Sequence, residues 1–283
     1  MDDAGKDQRI AARDGYSLGA TIFGERASGP VIIVSSATAV PRKIYRDFAL
    51  HLARRGASVI TYDYRGIGDS APSHLKGFPA RMRDWAELDF AGVIDDARAR
   101  YPRRPIGVVG HSFGGQALLL APNTQEIARA VTVAAQAGYW RLCAGAEKYR
   151  VYALLKAILP PINAACGYMP GSRLGLGEDL PSGVFREWSG WCLRRDYFLS
   201  DPTLDSLANR GKFSGPLVMV GIDDDPWATP PAIDLLATGF TGTTAMRRQI
   251  APAEAGARRM GHFGFFRKDL AGALWDGVAD ALW

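Results

Sequence analysis

The stretch Gly110-His111-Ser112-Phe113-Gly114-Gly115 lies between two apolar runs, residues 106–109 before it and residues 116–120 after it. This order predicts a strand, a sharp turn and a helix. Glycines at both ends of the G-x-S-x-G pattern suit such a turn, because the serine takes a strained backbone conformation between closely packed elements. We therefore predict that Ser112 presents its hydroxyl at the carboxyl edge of a sheet. An ordinary strand-to-helix turn in a glycine-rich chain is the alternative.

Other apolar runs on both sides of this turn have the length of buried strands. They lie at residues 31–34, 59–62, 130–134 and 217–220, and we expect a further strand near residues 246–250. Helical spacing of apolar residues separates them, at residues 44–52, 81–100, 231–238 and 266–282. The alternation predicts an α/β fold, with a mostly parallel sheet and helices on both faces. Short alternating segments from 8 to 25, around Arg13-Asp14-Gly15, predict a leading antiparallel hairpin.

The alternation stops between residues 137 and 215, where aromatic residues, glycines and prolines are frequent. We interpret this segment as an inserted helical cap. Residues 1–136 and 216–283 then form the core, and the whole chain of 283 residues is one domain with an insertion. The cap holds more aromatic surface than a strand crossover requires. Trp188 and Trp191 are its residues that we expect to reach a bound substrate.

Composition and charge favour a protein that stays in the cytoplasm. The first seven residues are acidic and lack an apolar core, so we expect no signal peptide. The longest apolar-rich run, residues 31–40, is far shorter than the roughly 20 residues of a membrane span. The net charge of +5 comes with dispersed arginine pairs, so we expect no nucleic-acid partner. Three cysteines without metal-ligand spacing predict neither a disulfide framework nor a metal site.

Four motifs in order resemble those of the alpha/beta-hydrolase superfamily. They are the turn at Ser112, Asp63-Tyr64-Arg65-Gly66-Ile67-Gly68-Asp69-Ser70, the run Asp223-Asp224-Asp225-Pro226-Trp227-Ala228-Thr229-Pro230, and Gly261-His262-Phe263-Gly264-Phe265-Phe266. The chain is similar in particular to the serine aminopeptidase/lysophospholipase-like branch of predicted hydrolases. The resemblance extends from about residue 10 to the end and is loosest in the cap. It implies the alpha/beta-hydrolase fold and makes the turn at Ser112 a nucleophile elbow.

The resemblance and the small number of histidines together indicate the catalytic base. Only His51, His74, His111 and His262 occur in the chain. His111 is beside the serine, where the side chain points away from the hydroxyl, and the first two lie in a helix pattern and a loop. His262 follows the last predicted strand, and the superfamily has the chain order Ser, acid, His. We therefore predict His262 as the base.

Three consecutive aspartates, Asp223, Asp224 and Asp225, follow the penultimate strand and are the candidates for the acid. Superfamily members commonly carry the acid three residues after a strand-ending glycine. Counting from Gly221 leads to Asp224, which we predict, with Asp225 as the alternative. The remaining aspartates are expected to cap the following helix.

The resemblance also implies an oxyanion hole made of two backbone N–H groups. One should come from Phe113, directly after the nucleophile. The other should come from the loop after the strand at 31–34, where we predict Ala37 and Thr38. Many relatives carry His-Gly in that loop, and this chain has Ser35-Ser36 instead.

These residues imply a serine hydrolase that cleaves an ester, thioester or amide of a moderately hydrophobic small molecule through an acyl-serine, without a cofactor. An acyltransferase would use the same intermediate, and the sequence does not separate the two. A non-catalytic binding protein on this scaffold is a further alternative, although such proteins usually lose a triad residue. The sequence leaves a homodimer open.

Overall fold

The computed structural model describes residues 5–270 and 272–283, and a mostly parallel sheet of eight strands forms its centre. In sequence order the strands are β1 (Lys6–Ala11), β2 (Ser17–Phe23), β3 (Val31–Ser35), β4 (Ser58–Tyr62), β5 (Ile106–His111), β6 (Ile127–Val133), β9 (Leu217–Ile222) and β10 (Ala245–Ile250). Their spatial order is β1-β2-β4-β3-β5-β6-β9-β10, and only the β1–β2 and β2–β4 pairs are antiparallel. This arrangement confirms the predicted α/β fold and its leading hairpin.

Helices cover both faces of this sheet. The α-helices are α1 (Arg46–Arg54), α2 (Met82–Asp84), α3 (Ala91–Arg100), α4 (Phe113–Gln116), α5 (Glu147–Ala153), α6 (Leu159–Cys166), α7 (Gly171–Leu174), α8 (Ser182–Cys192), α9 (Pro230–Ala237) and α10 (Gly272–Asp280). Residues Trp85–Phe90 and Leu154–Ile158 continue α2 into α3 and α5 into α6 as wider π-helical turns. β3 and β5 are buried along their whole length, which agrees with their unbroken apolar sequences.

The last helix is shorter than its four-residue apolar spacing predicts. It begins at Gly272, and Gly264–Phe266 and Lys268–Leu270 before it are short 3-10 turns. Phe266 packs edge-on against Tyr45 and Phe48, and the Phe265 carbonyl accepts a hydrogen bond from Trp275 Nε1 at 2.7 Å. The apolar spacing therefore continues through a loop that is anchored to the core.

A buried arginine shapes the loop after β4. The Arg65 guanidinium donates two hydrogen bonds to Asp14 in the leading hairpin and also pairs with Asp89 in the helical segment that precedes α3. Burial raises the pKa of Asp89 to about 7 in spite of this partner. Gly66 has a φ of 85°, which favours glycine, and the Gly66 N–H donates to the Ser70 carbonyl. The turn at residues 65–68 is thus bonded to the leading hairpin and to the helical segment before α3.

The segment between β6 and β9 lies over the carboxyl edge of the sheet. It contains α5 to α8 and a two-stranded ribbon formed by β7 (Tyr168–Met169) and β8 (Leu180–Pro181). Residues from α5, α6 and α8 form one cavity together with the loops that follow β3, β5 and β9. Across the described parts of the chain, no helix has both the length and the apolar character that crossing a membrane requires.

Candidate active site

Ser112 occupies the sharp turn between β5 and α4. Its φ of 51° and ψ of −114° are unusual for a residue with a side chain, and the neighbouring elements hold them in place. The Ser112 N–H donates to the Val133 carbonyl, and the Ser112 carbonyl accepts from Gly115. A Cβ atom at Gly110 would collide with the Gly115 backbone, and one at Gly114 would collide with the Ser35 carbonyl. The glycines of the motif therefore allow the close contacts on which this turn depends.

His262 is held by Asp225, and this corrects the prediction of Asp224. The His262 Nδ1 lies 2.6 Å from Asp225 Oδ2, and both side chains are buried. The prediction counted three residues from Gly221, but β9 continues to Ile222. The Asp225 N–H donates to the Ile222 carbonyl and closes a tight turn, so the aspartate that faces His262 stands one residue later.

Asp225 is held as a carboxylate by several donors. Its Oδ1 accepts the N–H groups of Trp227 at 2.8 Å and Ala228 at 3.0 Å. Burial alone would raise the pKa of Asp225, but the hydrogen bond and charge of His262 and these two amides outweigh it and lower the pKa. An ionised carboxylate on Nδ1 fixes the histidine proton there and leaves Nε2 as the free nitrogen.

Asp224 supports the same histidine through the backbone of its loop. Its Oδ2 accepts the Met260 N–H at 2.9 Å, and its Oδ1 accepts the Gly261 N–H at 2.8 Å. Gly261 has a φ of 59°, which turns the chain directly before His262. The two neighbouring aspartates thus bind the same loop. Asp225 binds the His262 imidazole, and Asp224 binds main-chain N–H groups.

Ser112 and His262 line the same cavity, whose volume is about 450 Å³. No hydrogen bond joins their side chains in the described structure, and in unliganded enzymes such bonds are often long until a substrate is bound. The wall contributed by the inserted segment is largely apolar and includes Val151, Leu154, Leu155, Leu159 and Phe185.

Only one of the two tryptophans predicted to reach a substrate lines this cavity. Trp188 does so and is partly buried. Trp191 is 1% exposed, donates its Nε1 hydrogen to Asp201 Oδ2 at 2.8 Å and packs against Tyr197 and Phe198. The prediction for Trp191 is wrong because its side chain is held by these contacts and is not among the residues that line the cavity.

Comparisons with known proteins agree with this fold. Residues 31–169 match the family model described as serine aminopeptidase, S33. Solved structures with a similar fold include the Pyrococcus furiosus esterase Pf2001, with a TM-score of 0.63 and 16% identity over 99% of this chain and 90% of that one. The alpha/beta hydrolase GrgF from Penicillium sp. sh18 has a TM-score of 0.62 and 19% identity over 99% of this chain and 98% of that one. The chain therefore has the alpha/beta-hydrolase fold.

Two further similarities extend this result. The thioesterase domain from the curacin biosynthetic pathway has a TM-score of 0.57 and 15% identity, over 97% of this chain and 99% of that domain. Two uncharacterized proteins of Mycobacterium tuberculosis, Rv2307c and MT2364, are 33% identical to this chain over 109 residues. That stretch is 37% of this chain and spans only 38% of the length of each relative.

The predicted oxyanion donors have different surroundings. The Phe113 amide lies in the first turn of α4, where backbone N–H groups have no partner within the helix. The Ala37 N–H donates to the Tyr45 hydroxyl at 2.9 Å, which contradicts its predicted role. Thr38 lines the cavity beside it. Phe113 and Thr38 therefore remain our candidates for the oxyanion hole.

A buried chain of hydrogen bonds connects the segment after β3, the end of β5 and the His262 loop, and the sequence did not reveal it. The Tyr45 hydroxyl accepts the Ala37 N–H and donates its own proton to His111 Nδ1, 2.7 Å away, because a neutral His111 needs its single proton on Nε2 to reach the His262 carbonyl, which can only accept. His111 then carries its proton on Nε2 and donates it to the His262 carbonyl at 3.0 Å. Burial, followed by the nearby His262, lowers the pKa of His111 to about 3. A neutral histidine therefore links the loop after β3 to the His262 loop.

This neutral histidine should make the stability of the protein depend on pH. The unfolded chain protonates His111 near pH 6.5, whereas the folded protein does so only near 3. Its contribution to stability is therefore fully present above about pH 6.5 and is lost as the pH falls towards 3. Between pH 7 and 5 the free energy of unfolding should fall by roughly 2 kcal/mol more in the wild type than in His111→Gln. Urea unfolding at both pH values measures this difference, and equal slopes would contradict the neutral buried state.

The described residues contain no group of three or more His, Cys, Asp or Glu side chains arranged to hold a metal ion.

Proposed function

We propose that this protein is a serine hydrolase that cleaves an ester, thioester or amide of a moderately hydrophobic small molecule through an acyl-serine intermediate. The observation that carries the proposal is the bond between His262 Nδ1 and Asp225. It leaves Nε2 as the free nitrogen of a histidine that lines the same cavity as a serine on a strained turn. Nucleophile, base and orienting acid are the parts that acyl transfer requires.

The proposed reaction has two halves. His262 Nε2 takes the proton of Ser112 as the oxygen attacks the carbonyl carbon, and Asp225 stabilises the imidazolium that results. The Phe113 and Thr38 amides bind the developing oxyanion, and the imidazolium gives its proton to the leaving group as the acyl-serine forms. Water then attacks this ester with His262 again as base, which releases the acid and restores Ser112.

The shape of the cavity supports a substrate with an apolar portion. A roof of leucine, valine and phenylalanine side chains stabilises an alkyl or aromatic group through burial of apolar surface. The names of two structural relatives contain the words esterase and thioesterase, and both proteins share the fold. They support the chemical class of our proposal and leave the substrate to experiment.

A panel of p-nitrophenyl esters from acetate to palmitate, together with arylamides and labelling by a fluorophosphonate probe, tests this function. We expect hydrolysis with a maximum at intermediate chain length and labelling of Ser112. Product analysis with added alcohols, amines and thiols distinguishes water from another acyl acceptor. Absence of both turnover and labelling would favour a non-catalytic binding protein.

We expect the Trp188→Ala variant to change chain-length preference, because this side chain lines the cavity. Its effect on kcat/KM should be larger for hexanoate and octanoate esters than for acetate, by roughly tenfold, as expected for a few methylene groups that lose an apolar wall. Trp191→Phe is the matched control, and it should leave the ranking of esters unchanged. Equal loss on every ester in Trp188→Ala would mean that Trp188 only supports the fold.

A further inference from the structure

A glutamate at the start of α5 contacts the loop that carries the proposed acid. Glu147 Oε1 accepts the hydrogen of Trp227 Nε1 at 2.6 Å, although the two residues are 80 positions apart in the chain. Trp227 comes two residues after Asp225, and its main-chain N–H donates to Asp225 Oδ1. The contact therefore joins the inserted segment to the loop that orients His262.

The Trp227 indole packs against the His262 imidazole. The two ring centroids are 5.0 Å apart, and the rings of His111 and Phe263 lie at similar distances from His262, 5.2 and 5.1 Å. His111 is fixed by buried hydrogen bonds, and Phe263 follows His262 directly in the chain. Trp227 lines the cavity and is only partly buried, so the core alone does not fix its ring, and the bond to Glu147 restrains it.

Glu147 is held in this position as a carboxylate. Arg150, one turn later in α5, donates its Nε hydrogen to Glu147 Oε2 at 2.7 Å and an Nη2 hydrogen to Oε1 at 2.5 Å. The bonds from Arg150 lower the pKa of Glu147 against the effect of burial, and the bond from Trp227 lowers it further. A bidentate arginine also fixes the plane of the carboxylate, so that Oε1 stays directed at the indole N–H.

Two further hydrogen bonds fasten the same part of the inserted segment to the same loop. The Ala144 N–H donates to the Pro226 carbonyl at 2.8 Å, and Thr229 Oγ1 donates to the Leu142 carbonyl at 2.7 Å. These bonds hold main-chain atoms in place, whereas the bond from the indole to Glu147 holds a side chain. The segment and the loop are therefore joined through both main chain and side chains.

We propose that Glu147 is a positioning residue for the catalytic histidine. Its carboxylate holds the Trp227 indole against His262, and the indole keeps the imidazole from turning away from Ser112 while the proton moves between them. The inference rests on the proposed serine hydrolase function and adds to it a residue of the inserted segment that is not among those lining the cavity. The activity of the core thereby depends on where the inserted segment lies.

The p-nitrophenyl esters of acetate and hexanoate test this role, because the short acetyl group makes little contact with the cavity wall. In Glu147→Ala, kcat should fall about tenfold on both esters while KM changes by less than about twofold, as expected when a base is slightly displaced. The rate at which a fluorophosphonate labels Ser112, which also needs His262, should fall by the same factor. Trp227→Phe keeps an aromatic ring but removes the N–H donor, and it should reproduce the loss.

Three further variants separate positioning from folding. Glu147→Gln keeps an oxygen that can accept the indole hydrogen and should recover most of the lost kcat. The double variant Glu147→Ala/Trp227→Phe should be no slower than either single variant, because both changes remove the same bond. The matched control is Glu187→Ala, since Glu187 is similarly buried and bonds to Arg83 in α2, which also fastens the inserted segment to the core. This control should lower the Tm and leave kcat within about twofold of the wild type.

The outcomes keep this inference apart from the proposed function. A fall in kcat no larger than that of Glu187→Ala, or a rise in KM confined to hexanoate, would overturn the positioning role of Glu147 and leave the hydrolase proposal standing. If the wild type cleaves no ester, the hydrolase proposal fails, and NMR of the His262 Nδ1 proton, which is bonded to Asp225, still decides the positioning role. The resonance of this proton should broaden in Glu147→Ala and not in Glu187→Ala, and unchanged spectra in both variants would overturn the inference.

Discussion

Replacing Ser112 by alanine is expected to reduce kcat on any accepted ester by about 10⁶, the loss found when nucleophile or base is removed from subtilisin. The oxygen of the Ser112 hydroxyl is the atom that becomes acylated. A water molecule in its place cannot form an acyl-enzyme that stays bound to the protein. The Tm should change little, because the backbone bonds to Val133 and Gly115 persist and alanine fits the same turn.

Discontinuous assays measure the fall in kcat of Ser112→Ala. Active-site titration separates it from the background of contaminating enzymes. Ser189→Ala is a matched control, since Ser189 is similarly buried, lies in α8 and donates to the carbonyl of Arg186 within its own helix. It should retain wild-type activity. A Ser112→Ala protein that keeps a tenth of the activity would exclude the acyl-serine mechanism.

The second large effect should separate the neighbouring aspartates. Asp225→Asn is expected to lower kcat by about 10⁴, the precedent for a triad aspartate in another serine hydrolase. An asparagine amide can donate to His262 Nδ1, which favours the tautomer with its proton on Nε2 and removes the acceptor for the Ser112 proton. In Asp224→Asn one carboxylate oxygen is lost from a pair that binds Met260 and Gly261, so we expect a milder fall in kcat and a lower Tm.

The pH dependence of kcat provides a second measurement that distinguishes Asp224 from Asp225. Asp224→Asn should keep the wild-type shape of kcat against pH, since its His262 still bonds to Asp225, whereas the residual activity of Asp225→Asn should depend on pH differently. Asp223→Asn completes the series and should resemble the wild type. A severe loss confined to Asp224→Asn would return the role of acid to Asp224.

The sequence was informative wherever local patterns decide the structure. Short apolar runs predicted the strands, and the G-x-S-x-G stretch predicted the turn at Ser112, because both depend on residues that are adjacent in the chain. To choose the right aspartate, the end of β9 had to be predicted to within one residue. The ends of strands and helices are the part of a structure that sequence patterns define least well. One further strand residue, Ile222, makes Asp225 and not Asp224 the carboxylate that bonds to His262.

Contacts between distant parts of the chain account for the other errors. Nothing in the sequence after β3 indicates that the Tyr45 hydroxyl accepts a hydrogen bond from the Ala37 amide. Nor does it indicate that His111 lies between Tyr45 and the His262 loop. Trp188 and Trp191 lie in the same helix and have similar neighbours in the sequence. Only the packing of Trp191 against Tyr197 and Phe198 shows that it does not line the cavity.

The chain of hydrogen bonds through Tyr45 and His111 has a consequence for sequence variation. Both of its ends are main-chain groups, an amide that can only donate and a carbonyl that can only accept, so the protons along it can run in one direction only. A replacement at position 45 must accept a hydrogen bond from the Ala37 amide and donate one to residue 111. A replacement at position 111 must accept that bond and, over a longer distance, donate one to the His262 carbonyl. Among homologues, positions 45 and 111 should therefore covary as a pair, and an apolar residue at one should be accompanied by an apolar residue at the other.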